Sequence, residues 1–402
     1  MGFGSSASHT GVEEVTYDES RLGSPIARSA LLQRAGLALA CLVVSAAVIP
    51  RWLCGCGADA AFDGEVAWQA QLGKNLAATI VARPERQLYQ TGASRFDGQS
   101  AIAAYQMAIL ALGQLTIAHP ERRGEYLPVM LAAADRLVDP ATLDYAAKVY
   151  GQHGVVQMGP GEGHAYLGYI NLALGMLRLV EPDNRHAKLH DRLTAALADR
   201  LERSPRGLIE TYPGETWPPD VAAVAGSIGL HASATGLDRK AMLDIWATRF
   251  EACAIDASGY LVQRVRTGTC EPMDAPRGSG TAVGSYFIAF AHERLSRRLY
   301  QAIASGGTID VLGFSGVREY STGHSGSGDG NSGPILFGVS VGATGFALGA
   351  ARMHGDRDLF RRLYRSAYLF GAPFDLDDRR VFVIGGILGN ALLAAMLTAR
   401  RP

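Results

Sequence analysis

Residues 100–137 read SAIAAYQMAILALGQLTIAHPERRGEYLPVMLAAADRL and divide at His119-Pro120 into two unlike halves. Ser100–Ala118 carries no charge and is rich in small residues, so a helix there has no polar face and belongs in an interior. Glu121–Leu137 keeps apolar residues at three and four spacing with charges between them, the pattern of a helix lying on a rim. The pair reads as an inner helix followed by an outer one, and the alternation recurs along the chain. Further inner segments are predicted at His164–Val180, Pro218–Ala234, Ser279–Ala291, Pro334–Ala351 and Val383–Thr398, and outer ones at Asn184–Arg203, Asp238–Ala254, Glu293–Ala304 and Asp356–Phe370. Inner segments begin roughly 50 to 65 residues apart, a quasi-period that indicates repeated helical hairpins.

The inner segments outnumber the outer ones by one, and Asp63–Ala82, amphipathic and unpaired, can fill the vacancy beside the C-terminal helix. The expected fold class is therefore all-α, an (α/α)6 toroid of six helical hairpins whose chain ends meet, with a short β-hairpin at Ser258-Gly-Tyr260. Gly338, Gly342, Gly345 and Gly349 fall on one predicted helical face, where neighbouring inner helices can approach closely. Val381–Leu397 is uncharged and could pass for a membrane span, but Asn390 and the pairing of hairpins assign it to the ring.

The sequence has 402 residues with 38 basic and 38 acidic side chains, a balance that excludes a polyelectrolyte nucleic-acid binder, so no nucleic-acid partner is expected. Residues 1–34 lack apolar periodicity and read as a disordered arm. Residues 35–57 contain the uncharged run AGLALACLVVSAAVIP (Ala35–Pro50), flanked by Arg34 and Arg51 and followed by Trp52, and read as a membrane anchor. Residues 58–402 form the toroid domain. Arg21, Arg28 and Arg34 precede the apolar run while only Arg51 follows closely, which places the N-terminus in the cytoplasm and the toroid outside. A buried core helix, a cleaved signal and lipidation at Cys56 are the alternatives. An outside compartment would permit a Cys253–Cys270 disulfide, with two unrelated thiols as the other reading.

In such a toroid the loops entering the inner helices crowd one mouth of the central cavity. Those loops supply Asp97, Glu162, His164, Tyr212, Trp217, Arg277, His324, Asp329 and Asn331 as candidate substrate-binding residues. In Tyr212-Pro-Gly-Glu215-Thr-Trp217-Pro-Pro-Asp220 two carboxylates flank a Pro-Pro helix start. The positive end of the helix dipole should keep Asp220 ionised, while Glu215 beside Trp217 should hold a proton more readily. One acid and one base in a shared cavity suit hydration, dehydration, isomerisation or glycoside cleavage. The bland reading is a helix-capping carboxylate and a loop acid. Gly323–Pro334 resembles a phosphate loop only in glycine content, and neither a GxSxG elbow nor a histidine pair at i, i+4 is present, so no metal and no cofactor are expected.

From Phe96 to the C-terminus the chain resembles the bacterial linalool dehydratase/isomerase family. The pieces that carry the resemblance are SAIAAYQMAILALGQLTIAHP (Ser100–Pro120), YLGYINLALGMLRLV (Tyr166–Val180), the Asp220 helix leading to Gly236-Leu-Asp238 and Trp246, the Ser258-Gly-Tyr260 turn, and Gly330–Phe360 with its Gly355-Asp356 turn. The resemblance implies an α/α toroid with its active site in the central cavity and a small apolar alcohol as substrate. The family's two functional cysteines would fall near Thr211 or Tyr212 and near Asp220, and its histidine on Tyr169, so Asp220, Glu215 and Tyr169 would have to supply the acid/base set. The expectation is a membrane-anchored lyase or isomerase of hydro-lyase type, with a homo-oligomer compatible. The alternatives are a cell-envelope carbohydrate-active hydrolase or lyase with Trp217, Tyr212 and Tyr320 as stacking platforms, and a non-catalytic toroid scaffold.

Overall fold

The computed structural model describes residues 25–81, 94–151, 163–330 and 332–402. Glu162 and Asn331, and most of the expected N-terminal arm, lie outside them. The chain divides into two units at Trp52 and Leu53. Helix α1 (Pro25–Leu53) makes up the first. It begins ten residues before the expected anchor: Pro25 suits a first helical turn, and Ser29-Ala-Leu-Leu-Gln-Arg34 is a run of good helix formers, so part of the predicted arm is helical. The segment Ser29–Asp63 is long and apolar enough to cross a membrane, and 6% of its most apolar window is buried.

The second unit starts with α2 (Ala58–Asp63) and α3 (Val66–Val81). Then follow α4 (Ser94–Ala118), α5 (Arg123–Leu137), α6 (Pro140–Tyr150), α7 (Leu167–Val180), α8 (Ala187–Arg203), α9 (Pro218–Thr235) and α10 (Lys240–Ala254). The remaining helices are α11 (Gly278–Ile288), α12 (Glu293–Ala302), α13 (Val341–Met353), α14 (Arg357–Gly371) and α15 (Gly386–Leu397). Helices α4, α7, α9, α11, α13 and α15 each pack on the next, and α15 returns to α4, so the inner ring is closed. Helices α5, α8, α10, α12 and α14 lie outside their partners, and α3 takes the sixth outer place against α4 and α15. This is the α/α toroid that the alternation of uncharged and amphipathic segments predicts. Although α4 is apolar enough to span a membrane, 83% of its most apolar window is buried.

Inner helices touch through small residues. A methyl group on Gly168 of α7 would stand 2.6 Å from the Val224 backbone nitrogen of α9, and one on Gly229 of α9 would stand 2.1 Å from the Phe290 carbonyl oxygen just beyond α11. The seam between first and last inner helices is polar. Gln114 Nε2 donates to the Ala395 carbonyl at 3.0 Å and to Thr398 Oγ1 at 3.2 Å, while Gln114 Oε1 accepts from the Tyr286 hydroxyl at 3.0 Å. Asn75 of α3 donates to Asn390 Oδ1 of α15 at 2.9 Å, and Asn390 also bonds both backbone groups of Phe382.

Three elements were not expected. Helix α6 follows an Asp139 cap and Pro140 at its first turn. A four-stranded antiparallel sheet is built of β1 (Thr308–Val311), β2 (Phe314–Arg318), β3 (Ile335–Leu336) and β4 (Val339–Ser340), in the order β1-β2-β4-β3. A hairpin pairs β5 (Pro373–Leu376) with β6 (Arg379–Phe382). The sheet replaces the predicted helical start at Pro334. Phe337 and Gly338 both have positive φ, 52° and 83°, as a two-residue hairpin turn requires, and Ser340 Oγ then caps α13 by accepting from Ala343 N. Gly338 is consequently a turn residue and leaves the smooth face to Gly342, Gly345 and Gly349. Helix α15 likewise starts at Gly386, where Gly385 and Gly386 both have positive φ, rather than at Val383. The Ser258-Gly-Tyr260 turn joins the bridged residues Ile255 and Leu261, and Cys253 is disulfide-bonded to Cys270.

Gln114 is the test of ring closure. Gln114→Ala leaves the Tyr286 hydroxyl and the Ala395 carbonyl buried without this partner and is expected to cost about 3 kcal/mol, against about 1 kcal/mol for Tyr286→Phe. Urea unfolding of both variants checks the order.

Candidate active site

The N-terminal halves of the inner helices surround a cavity of about 170 Å³. Much of its wall is aromatic or aliphatic: Tyr145, Tyr166, Tyr169, Tyr212, Phe287 and Phe346 face it together with Ile102, Met107 and Leu392. The polar groups that reach it are Gln99, Ser100, Gln106, Asp220, Gln263 and Ser279.

Asp220 owes its position to the chain before it. Tyr212-Pro-Gly-Glu215 is a tight turn in which Gly214 has φ +76°, Pro213 supplies the preceding corner, and Glu215 N donates to the Tyr212 carbonyl at 2.8 Å. Trp217 then precedes Pro218-Pro219 at the start of α9, which sets Asp220 in the first turn with its side chain on the cavity wall. Its Oδ1 accepts from the Tyr169 hydroxyl at 2.6 Å and its Oδ2 from Thr211 Oγ1 at 2.8 Å. Burial outweighs these donors and pushes the Asp220 pKa up to about 6. Burial, then the neighbouring Asp220, hold the Tyr169 phenol well above its ordinary range, so it remains a proton donor.

Glu215 lies at the end of the turn, outside the cavity lining. Arg95 of α4 clamps it with both guanidinium nitrogens, Nη1 to Oε1 at 2.9 Å and Nη2 to Oε2 at 3.3 Å, and Trp217 Nε1 donates to Oε2 at 3.2 Å. Burial alone would raise the Glu215 pKa, but these donors overcome it and hold the carboxyl below the usual range. The protonation order expected from the sequence is thus reversed: Asp220 is the carboxyl that keeps a proton near neutrality, and Glu215 is the fixed carboxylate. Desolvation of the buried carboxyl is the strongest effect on Asp220 and overrides the ionisation expected from its place at a helix start.

An aromatic column backs this wall. Arg95 lies 4.9 Å above the Tyr212 ring, Tyr212 stacks on Tyr166 at 5.8 Å, Tyr166 on Tyr150 at 5.8 Å, and Tyr150 on His164 at 3.9 Å. Gln99 Nε2 donates to the Tyr212 hydroxyl at 2.6 Å. His164, buried with φ +69°, belongs to this support and does not line the cavity.

Of the substrate-binding candidates among the described residues, Tyr212 lines the cavity and the others are placed elsewhere. Asp97 is in the first turn of α4. Trp217 is covered by the Arg264 guanidinium at 5.5 Å. Arg277 joins two loops, donating to Asp329 at 2.9 Å and Asp274 at 3.0 Å while lying 5.3 Å from the Tyr320 ring centre, so neither Asp329 nor Tyr320 is presented as expected. His324 is exposed on the loop beyond. Sequence reasoning passed over Gln99, Gln106, Tyr145, Tyr166 and Gln263. A signal existed for two of them: Gln99 and Gln106 are seven apart and share the helical face of Phe96, Ala103 and Met107.

Gln106 is fully buried, and among the described residues neither its amide nitrogen nor its oxygen has a partner; Gln263, 2% exposed, leaves its Oε1 without one among them. Both side chains face the cavity.

Tyr169→Phe removes a hydrogen bond to the charged form of Asp220, so the Asp220 pKa should rise beyond about 6. Carboxyl-carbon NMR titration reads it. Because folded Asp220 binds its proton more tightly than the unfolded residue, its stabilising contribution is complete below pH about 4 and is lost as pH rises through about 6, a change on the order of 3 kcal/mol. Asp220→Asn should flatten that part of the stability curve, and an unchanged slope in urea unfolding across this window would contradict the assignment.

No family model and no curated protein matches the chain. Among solved structures it is similar to an inactive variant of the alpha-1,6-mannanase of Salegentibacter sp. HEL1_6 in complex with alpha-1,6-mannotriose, at 12% identity and TM-score 0.49, covering 82% of this chain and 98% of that one. It is also similar to a polysaccharide lyase, at 12% identity and TM-score 0.36 with 67% and 90% of the two chains covered. A third is glycosyl hydrolase family 88 from Bacteroides vulgatus, at 10% identity and TM-score 0.35 with 73% and 99% covered. These neighbours are carbohydrate-active proteins and not linalool dehydratase/isomerases. The family resemblance drawn from segment order is corrected accordingly, and with it the apolar alcohol substrate and the hydro-lyase or isomerase chemistry.

Proposed function

We propose that the toroid is a carbohydrate-active enzyme that cleaves a glycan in its central cavity, with Asp220 as the group that transfers a proton. The observation that carries this reading is the pair of buried amides. Gln106 and Gln263 turn hydrogen-bonding atoms without partners among the described residues toward a cavity whose walls are largely aromatic or aliphatic. An apolar ligand would leave those atoms unpaired in a desolvated site, at about 1–3 kcal/mol each. A sugar ring satisfies both demands, since its hydroxyls donate to and accept from amides while its C–H face packs on tyrosines.

With its pKa near 6, Asp220 is divided between acid and carboxylate close to neutral pH, which suits general acid or base work. Tyr169, 2.6 Å from it and protonated, can pass a proton to the same point. Arg95 fixes Glu215 as a permanent negative charge near the mouth. In hydrolysis protonated Asp220 gives its proton to the leaving glycosidic oxygen as its bond to the anomeric carbon breaks, and water adds to that carbon and releases a proton to solvent. In elimination the Asp220 carboxylate removes a proton from sugar carbon and Tyr169 supplies one to the leaving oxygen.

The placement we favour is outside the cytoplasmic membrane. It is supported by the arginine excess ahead of the apolar helix and by the Cys253–Cys270 bond, which suits an oxidising compartment.

Incubation with a panel of envelope and plant glycans, followed by reducing-end release and by the ultraviolet absorbance of unsaturated products, separates hydrolysis from elimination. Asp220→Asn should lower kcat about 10² to 10⁴-fold, and Gln106→Leu should raise KM about tenfold or more. Full turnover by Asp220→Asn would remove it from the mechanism, and glycan binding unaffected by Gln106→Leu would remove the observation on which the substrate class rests.

A further inference from the structure

At the other end of the ring, where α4, α13 and α15 finish, lies a second hollow of about 510 Å³. Phe62, His119, Arg352, Met353, Arg400 and Arg401 form much of its wall. Its charges do not balance locally. Asp63, the carboxylate in the wall, is held by both terminal nitrogens of Arg357, and Arg401 is held by Glu293 at 2.8 Å. Among the described residues neither Arg352 nor Arg400 forms an ion pair. Arg352 gives one nitrogen to the Ala399 carbonyl, while the Nε of Arg352 and of Arg400 are buried without partners among the described residues.

Burial, with Arg400 adding to it, lowers the Arg352 pKa to about 10, and His119 is lowered by burial and by Arg400, Arg122 and Arg352 against the opposing pull of Glu121. Compensation of helix dipoles explains one arginine facing the end of a helix. It does not explain two guanidinium groups crowded around an open hollow with donors to spare. We propose that this hollow is a binding site for a phosphate group, gripped by the forks of Arg352 and Arg400, with Phe62 and Met353 against the organic part of a phosphate ester. Guanidinium forks match the oxygens of a tetrahedral anion, and an anion relieves the repulsion between them. A free phosphate and the headgroup of an anionic lipid present the same chemistry.

The full-length chain in an uncharged detergent is titrated with inorganic phosphate and, separately, with short-chain phosphatidylglycerol, and binding is read from phosphorus NMR line broadening. Binding with Kd of about 1 mM or tighter is expected for at least one of them, weakened about tenfold or more by Arg352→Gln and by Arg400→Gln. Tenfold tighter phosphatidylglycerol identifies a lipid headgroup, and equal or tighter phosphate identifies a soluble anion. Should Arg352→Gln fail to fold, Arg400→Gln decides alone. No broadening by either ligand up to about 10 mM, or broadening that Arg400→Gln leaves unchanged, overturns the site.

Discussion

The contact between Gly168 and Val224 sets the scale of the site. A side chain at Gly168 would meet the α9 backbone at 2.6 Å, so α7 and α9 are in backbone contact there. Tyr169 follows Gly168 directly, and Asp220 lies one turn before Val224. Their 2.6 Å hydrogen bond therefore spans the interface that the glycine closes. Helices separated by ordinary side chains would stand too far apart for a phenol and a carboxylate at these positions to meet. The geometry of the Tyr169–Asp220 pair is thus inherited from packing.

Much of the ring could be read in the sequence because burial writes itself into composition. A helix surrounded by other helices has little use for charge: Ser100–Ala118 has none, and Pro218–Ala234 has the Asp220 carboxylate alone, in its first turn. The errors fall where a local signal competes with that rule. Pro334–Ser340 is as apolar and glycine-rich as the helix it precedes, but the positive φ of Phe337 and Gly338 turns it into a hairpin. Period alone does not register a two-residue turn.

The site was less legible, and for a different reason. Asp220 could be singled out by its position at a helix start, and Tyr169 only through the family resemblance, but the partner of Glu215 could not: Arg95 is separated from it by 120 residues. Proximity in the chain to Trp217 suggested a poorly solvated acid, whereas the indole donates a hydrogen bond and a guanidinium completes the cage. Loop residues with charged or aromatic side chains also drew notice away from Gln106, a neutral residue inside an apolar helix. Its burial without a partner exists only once the ring has closed around it.

Closure itself depends on the last part of the chain. Gln114 meets Ala395 and Thr398 across nearly the whole length of the body, so the first inner helix must wait for the final one before its inward face is covered. During synthesis α4 emerges early and leaves an apolar flank open until α15 arrives. Contacts this distant in sequence form slowly, and exposed flanks of this kind are what chaperones retain and what aggregates when they are absent. The seam that completes the cavity is therefore also the step at which production of the protein is most easily lost.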